Sequence, residues 1–469
     1  MVKPGIGRSG LTLIGNEPRL SRESVSYSVG MDCRSLVSPA TAGAALLIAT
    51  TWVLADRLED TFYVPLDHPA IQYVQETGDD PVARLEAKIE SGRVKLGYAA
   101  NGWGYLPALL QALDIHVDSQ VLVFSKTSIQ ANHISPRTPR AIYFNDNVSV
   151  GFVREGEVLE IASLDARQGI RLYSIDTKKA AQPDLSRRDD CLRCHQGPVT
   201  LGVPGLLLSS VHPSTGRRGE EHGSTFMTDH RTPLAERWGG WYVTGTDGSQ
   251  YNLGNNTNLV DPVHPGGASL DGTQNVTSLA DRFDTSKYMA PTSDIVALMV
   301  LEHQTRMTNL ITRIGWDVRI AQHDGKLKEQ EKQFDAEIDE LTAYMLFGDE
   351  ALLEDPIAGV STFSKTFPQR GPRDRQGRSL RDFDLQTRLF RYPLSYMIYS
   401  DAFEGMPDFA RERVYRRLYD ILTGKDTRET AGGLSLARLS STDRGAILEI
   451  VRETKPNLPA YWNAARVVR

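Results

Sequence analysis

The sequence predicts an α+β protein with a β-rich middle region followed by a mainly helical C-terminal part. Between residues 120 and 176, short runs rich in β-branched and aromatic residues, such as VLVF, AIYF and VSVGFV, alternate with turn residues. From about residue 290, apolar residues recur at helical spacing instead. The 469-residue chain is 40% hydrophobic and 24% charged, which is typical of a globular protein with a substantial core.

Two helices are predicted before the β-rich region. The segment 80–91 places Val82, Leu85 and Ile89 on one face, and 105–112 is a second, shorter helix. Other elements are predicted to follow the β-rich region: strands over 202–211 and 237–246, and a long loop over 252–288.

The helical C-terminal part is predicted to begin near Ser293, whose hydroxyl is of the type that caps a helix N-terminus. The first helix carries an apolar stripe that includes one histidine: Val296, Val300, His303, Met307, Leu310 and Ile314. Further helices are predicted over 326–347, 386–400, 407–422 and 442–454.

A segment near the N-terminus resembles an export signal. Residues 31–55 contain a basic residue, Arg34, then a mostly apolar run, and end in small residues before a polar stretch. Residues 1–30 are interpreted as a start-site artefact or a disordered tail, with the true start at Met31. The predicted location is the bacterial periplasm, or otherwise outside the cytoplasm. The alternative is a membrane anchor through an uncleaved 36–55, since about 20 residues span a bilayer.

These boundaries give four predicted parts. Residues 1–30 and 31–55 precede the mature chain, 56–289 form an α+β region, and 290–469 form a helical region that is predicted to pack on the cofactor described below. The net charge of −6 argues against nucleic acid as a partner. With only 3 cysteines, a disulfide-dense scaffold is excluded.

The motif that carries chemistry is Cys191-Leu192-Arg193-Cys194-His195, which matches the C-x-x-C-H attachment sequence for c-type haem. The spacing puts the two thiols about one helical turn apart, so each can form a thioether with one haem vinyl group. His195 follows directly and is the predicted proximal iron ligand. The motif therefore predicts one covalent haem c, and its attachment outside the cytoplasm agrees with the export signal.

Two other interpretations of these cysteines stay open. One is a disulfide or thioredoxin-like redox pair, although no βαβ pattern accompanies it. The other is a zinc site formed by Cys191, Cys194 and two later histidines such as His212 and His222. No second C-x-x-C or H-x-x-x-H sequence accompanies such a site.

The ligand on the opposite side of the iron decides the chemistry. A protein ligand there gives an electron carrier, whereas an open position permits ligand binding or catalysis. His303 is the candidate distal ligand, and a buried, hydrogen-bonded core histidine is the alternative. His230 and His133 lie in predicted loops and are further candidates.

Three arginines, Arg187, Arg188 and Arg193, flank the motif. They are predicted either to pair with haem propionates or to lie in a solvated loop.

Beyond the motif, much of the chain resembles a family of large, single-haem, exported cytochrome c domain-containing proteins of bacteria. The stretches that carry this resemblance include VFSKTSIQ (123–130), SPRTPRAIYFNDNVSVGFV (135–153), CLRCHQGP (191–198), TDHRTPLAERWGGWYVTGT (228–246) and RLFRYPLSYMIYSDAF (388–403). The resemblance implies haem c binding and electron transfer. It supplies no substrate and no catalytic residues, and only Cys191, Cys194 and His195 take a role from it. The small all-α cytochrome c fold is not expected, because the motif lies mid-chain after β structure.

The predicted function is that of a periplasmic c-type cytochrome that passes electrons to an unidentified redox partner protein. Because one haem needs only a small domain, the roughly 400 residues around it suggest an alternative. That alternative is a haem-dependent oxidoreductase of peroxidase or oxidase type with an open iron site. A haem-based sensor or docking module ranks third.

Overall fold

The computed structural model describes residues 64–211, 225–257 and 272–463. The segments 1–30 and 31–55 therefore lie outside the described residues, and the predictions made for them stay predictions. Within the described part of the chain, no helix is both long and apolar enough to cross a membrane.

A seven-stranded antiparallel sheet occupies the middle of the protein, which confirms the predicted β-rich middle region. The first nine strands are β1 (Val121–Val123), β2 (Arg140–Phe144), β3 (Val148–Phe152), β4 (Val158–Asp165), β5 (Gly169–Asp176), β6 (Ser186–Arg187), β7 (Ser209–Val211), β8 (Thr225–Met227) and β9 (Trp241–Tyr242). The order across the sheet is β6-β5-β4-β3-β2-β1-β9, and β7 pairs separately with β8. Most neighbours in the sheet are consecutive in the chain, and short turns connect β2 to β3, β3 to β4 and β4 to β5.

Four short strands form two further pairs, β10 (Gly245–Thr246) with β11 (Ala358–Gly359) and β12 (Thr430–Ala431) with β13 (Leu434–Ser435). The helices are α1 (Pro81–Glu90), α2 (Leu106–Ala112), α3 (Leu192–His195), α4 (Ile295–His323), α5 (Glu331–Met345), α6 (Phe363–Gln369), α7 (Asp401–Glu404), α8 (Asp408–Leu422) and α9 (Ser441–Thr454).

Each face of the sheet is covered by helices, because alternate side chains along a strand point to opposite faces. On one face, Tyr143 and Ile161 pack in an apolar cluster with Leu85 of α1 and Leu109 of α2. On the other face, side chains such as Phe144 and Leu164 share a second cluster with α4 and the C-terminal helices. The core is therefore continuous across the predicted boundary between residues 289 and 290.

The long helix α4 lies under the sheet and is buried over most of its 29 residues. The predicted stripe through His303 is buried, which confirms that part of the prediction. The predicted cap is wrong by one residue: Asp294 accepts a hydrogen bond from Val296 N at 2.9 Å. Ser293 is used elsewhere, since its hydroxyl donates to Tyr242 O and accepts from Leu122 N.

The other helix predictions are confirmed apart from one segment. The predicted helix over 386–400 is wrong, because that region is irregular and contains only a short 3-10 turn, Tyr396–Tyr399. Asp384 Oδ1 accepts hydrogen bonds from successive backbone N–H groups there, including Gln386 N, which closes a tight turn instead of a helix. Pro393 interrupts the segment again.

Candidate functional site

The C-x-x-C-H motif directly follows β6, the edge strand of the sheet. It begins in a 3-10 turn over Asp189–Cys191 and continues into the single helical turn α3. Both cysteines are free thiols; Cys194 is exposed and Cys191 is half-buried against the core. Residues three apart lie on the same side of a helical turn, so this conformation suits two thioether bonds to one ligand.

His195 has its tautomer set by a backbone contact. Its Nδ1 lies 2.9 Å from Gly205 O, and Gly205 N donates back to His195 O at 2.8 Å. A carbonyl oxygen can only accept a hydrogen bond, so Nδ1 carries the proton and Nε2 presents a lone pair. Burial lowers the pKa of the imidazole, although the Gly205 carbonyl opposes this. His195 is therefore neutral at pH 7, the form in which imidazole binds a metal.

The loop after the motif is held by a dense set of contacts. The Thr200 hydroxyl both accepts from Gly197 N and donates to Gly197 O, at 3.0 and 3.1 Å. Leu201 adopts a left-handed backbone with φ of 61°, which is unfavourable for a side chain of this kind. Arg313 of α4 donates to Leu201 O at 2.8 Å and so ties that turn to α4.

An ion pair on the α4-facing side of the sheet acts electrostatically on His195. Arg140 Nη2 of β2 lies 2.7 Å from Glu160 Oε2 of β4. Burial alone would raise the pKa of Glu160, but Arg140 and the side chains of Ser128 and Gln130 hold it below its usual range. The two charges act on the pKa of His195 in opposite directions, Arg140 lowering it and Glu160 raising it.

Residues 64–76, here called the N-terminal strap, contact both the motif region and β5, where the Tyr73 hydroxyl donates to Ile170 O at 2.7 Å. Val64 N donates to Gly202 O at 3.2 Å, and Gln196 Nε2 donates to Val64 O at 3.1 Å. Leu192, within the motif, packs with the strap and with Trp316 of α4. The motif therefore contacts the sheet edge, the strap and α4, three elements far apart in the sequence, while Cys194 stays exposed.

The three arginines beside the motif mostly have protein partners. Arg187 contacts Asp189 Oδ1 at 2.8 Å and donates to Tyr73 O at 2.6 Å, while Arg188 pairs with Asp190 at 2.8 Å. Arg193 is exposed. Propionate pairing stays a prediction, and for Arg187 and Arg188 it would compete with these contacts.

His303, the predicted distal ligand, is fully buried and has both ring nitrogens engaged. Its Nδ1 lies 2.8 Å from His230 Nδ1, and its Nε2 lies 2.7 Å from Ser395 Oγ. The rings of Tyr344 and Phe347 stack on it. Burial lowers its pKa to about 3, so the ring is neutral. Iron binding by His303 stays a prediction, and it would require the loss of one of these two hydrogen bonds.

The other histidines named from the sequence have different surroundings. His230 is buried beside His303, whereas His133 is exposed in a short turn. That turn follows Ser128 and Gln130, whose side chains both donate to Glu160. The zinc alternative stays a prediction, because His212 and His222 lie outside the described residues.

A second group of potential metal ligands lies at the C-terminal end of α4. His323 Nδ1 is 3.0 Å and His68 Nε2 is 3.5 Å from Asp324 Oδ1. Ala70 N donates to His68 Nδ1, so in neutral His68 the proton is on Nε2, facing the carboxylate. A ligating nitrogen must instead present a lone pair. These contacts are those of a hydrogen-bonded surface cluster.

No protein-family model matches the chain, and no curated protein or solved structure is significantly similar to it. The resemblance to cytochrome c domain-containing proteins therefore stays a prediction. The residues at the motif nevertheless fit a covalent haem c on their own chemistry, since two free thiols share one helical turn with an imidazole whose Nε2 carries no proton.

Proposed function

We propose that this chain is an exported c-type cytochrome that holds one covalent haem c and passes electrons to a redox partner protein. The observation that carries the proposal is the hydrogen bond from His195 Nδ1 to Gly205 O, which leaves Nε2 free to bind iron beside two free thiols. Metal-binding histidines commonly donate their other ring nitrogen to a backbone carbonyl in this way.

Each residue of the site has a separate role in this proposal. Cys191 and Cys194 hold the cofactor through thioether bonds, and His195 is the proximal ligand. Gly205 fixes the ring of His195, and the strap binds the next residue, Gln196, through Val64 O. Bound haem supplies an iron that changes its oxidation state by one electron.

The first experiment is haem staining after denaturing electrophoresis of the protein made in a host with haem c maturation. We expect staining of the wild type, with a c-type pyridine haemochrome spectrum. Staining should fall strongly in Cys191→Ser and Cys194→Ser. Cys33→Ser is the matched control and should stain normally, because Cys33 lies in the predicted signal. A wild type that does not stain would end the proposal.

The second candidate function is a haem-dependent oxidoreductase with an open iron site. It is favoured by the contacts of His303, whose two nitrogens are committed to His230 and Ser395. Carbon monoxide added to the ferrous protein separates the two functions. Rapid formation of a carbonyl complex indicates an open position, and an unchanged spectrum indicates two protein ligands.

A further inference from the structure

One peptide group connects His195 to the long helix α4. Its carbonyl, from Gly205, accepts from His195 Nδ1 at 2.9 Å. Its N–H, from Leu206, donates to Asn309 Oδ1 at 3.0 Å. Asn309 Nδ2 also donates to Leu206 O at 2.9 Å. The side-chain amide of Asn309 therefore binds one end of the same peptide whose other end binds the imidazole.

Asn309 packs tightly against the loop that contains Gly205 and Leu206. A Cβ atom on Gly205 would lie 2.4 Å from Asn309 Oδ1 and 3.0 Å from the Cβ of Thr200, so only glycine fits. Asn309 is 2% exposed and lies on a helix that is buried over most of its length. A buried amide is costly unless its hydrogen bonds are made, and both polar atoms of Asn309 bond Leu206.

We propose that Asn309 is a positioning residue for the iron ligand and acts on His195 through the Gly205–Leu206 peptide. The inference rests on the proposed haem attachment. Hydrogen bonds in a chain polarise one another, so acceptance of the Leu206 N–H makes the Gly205 oxygen a stronger acceptor. A stronger acceptor at Nδ1–H raises the basicity of the ring and fixes its orientation. A more basic ligand favours the oxidised iron, and so lowers the reduction potential.

The test is the reduction potential of the haem-loaded full chain in three variants. Asn309→Leu removes the acceptor and should raise the potential while haem staining is retained. Asn309→Asp keeps an acceptor for Leu206 N, so its potential should be no higher than that of the wild type. Arg313→Gln is the matched control. Arg313 holds the same loop through Leu201 O but does not bind this peptide, so we expect no shift.

An unchanged potential in Asn309→Leu would overturn the inference, and so would an equal rise in Arg313→Gln, which indicates loop packing alone. Should Asn309→Leu not fold, a raised potential in Asn309→Asp would overturn it as well. An unstained wild type would end the haem proposal separately. The effect of Asn309 on His195 would then still be measurable by NMR, as the exchange rate of the His195 Nδ1 proton. We expect slow exchange in the wild type and faster exchange in Asn309→Leu. If Asn309→Leu does not fold, Asn309→Ser takes its place. Equal exchange rates would reject the inference.

Discussion

Arg140 of β2 reaches across β3 to pair with Glu160 of β4, with 2.7 Å between Nη2 and Oε2. The strand between them offers no obstacle because Gly151 lies at that point, directly opposite Glu160 in the ladder. A Cβ on Gly151 would lie 2.8 Å from both Nε and Nη2 of Arg140. The glycine therefore permits a charge pair to span three strands on the side of the sheet that faces α4.

The variant Gly151→Ala is expected to be less stable than the wild type by about 1 kcal/mol, because the guanidinium must move and its partly buried pairing weakens. The free energy of unfolding from urea titration measures this. Gly445→Ala is the control: it lies within α9 with open space around its Cβ position, and should stabilise by roughly 0.5–1 kcal/mol. Equal stability of Gly151→Ala and the wild type would show that the Arg140–Glu160 ion pair across β3 does not depend on a glycine at this position.

The variant His303→Gln tests whether this residue is a core histidine or an iron ligand. Since His230 and Ser395 lose a buried partner, we expect the free energy of unfolding to fall by about 2–4 kcal/mol. The visible spectrum of the haem-loaded protein should stay the same. His323→Gln, at the exposed end of the same helix, should change neither property. A changed spectrum in His303→Gln would instead identify His303 as the distal ligand.

The variant Glu86→Gln is expected to alter the pH dependence of stability. Glu86 lines a cavity of about 330 Å³ with Glu90 and Asp184. Burial first, and then the charge of Asp184, raises the pKa of Glu86 to about 7. The folded protein therefore binds this proton more tightly than the unfolded chain does. The resulting stability is present below the ordinary carboxyl pKa and is lost as the pH rises through about 7.

Melting temperatures at pH 5 and pH 8 check this expectation. The melting temperature of Glu86→Gln should equal that of the wild type at pH 5 and exceed it at pH 8. The corresponding difference in the free energy of unfolding is less than about 1 kcal/mol, because the site is open to solvent. Glu90 lies on the same cavity and its charge also raises the pKa of Glu86, so Glu90→Gln should reduce the pH dependence only in part. A wild type that remains the more stable protein at pH 8 would contradict the raised pKa.

Much of the fold follows from local pattern. Alternation along β4 and the spacing of Val82, Leu85 and Ile89 in α1 are local signals, and the structure confirms both elements. The helix prediction for 386–400 was wrong because the apolar residues of that segment are buried without regular spacing, while Asp384 and Pro393 impose turns.

The attachment motif was predictable because its spacing lies within five residues of sequence. Its surroundings were not, since Gly205, Asn309 and Glu160 are brought together only by the fold. The available signals were indirect. Asn309 is a polar residue in a helix with a continuous apolar stripe, and the two glycines of GVPG (202–205) indicate a close backbone approach. Neither signal names a partner.

The contacts that hold the motif join it to segments on both sides that are far away in the sequence. Gln196 binds Val64, 132 positions earlier, and Leu206 binds Asn309, 103 positions later. If the chain is exported as proposed, its thiols and imidazole would leave the membrane before Asn309 does, and so before one of their contacts is available. Haem attached at that stage would nucleate the contacts between these distant segments. The rate of attachment would then affect the rate at which the rest of the protein folds.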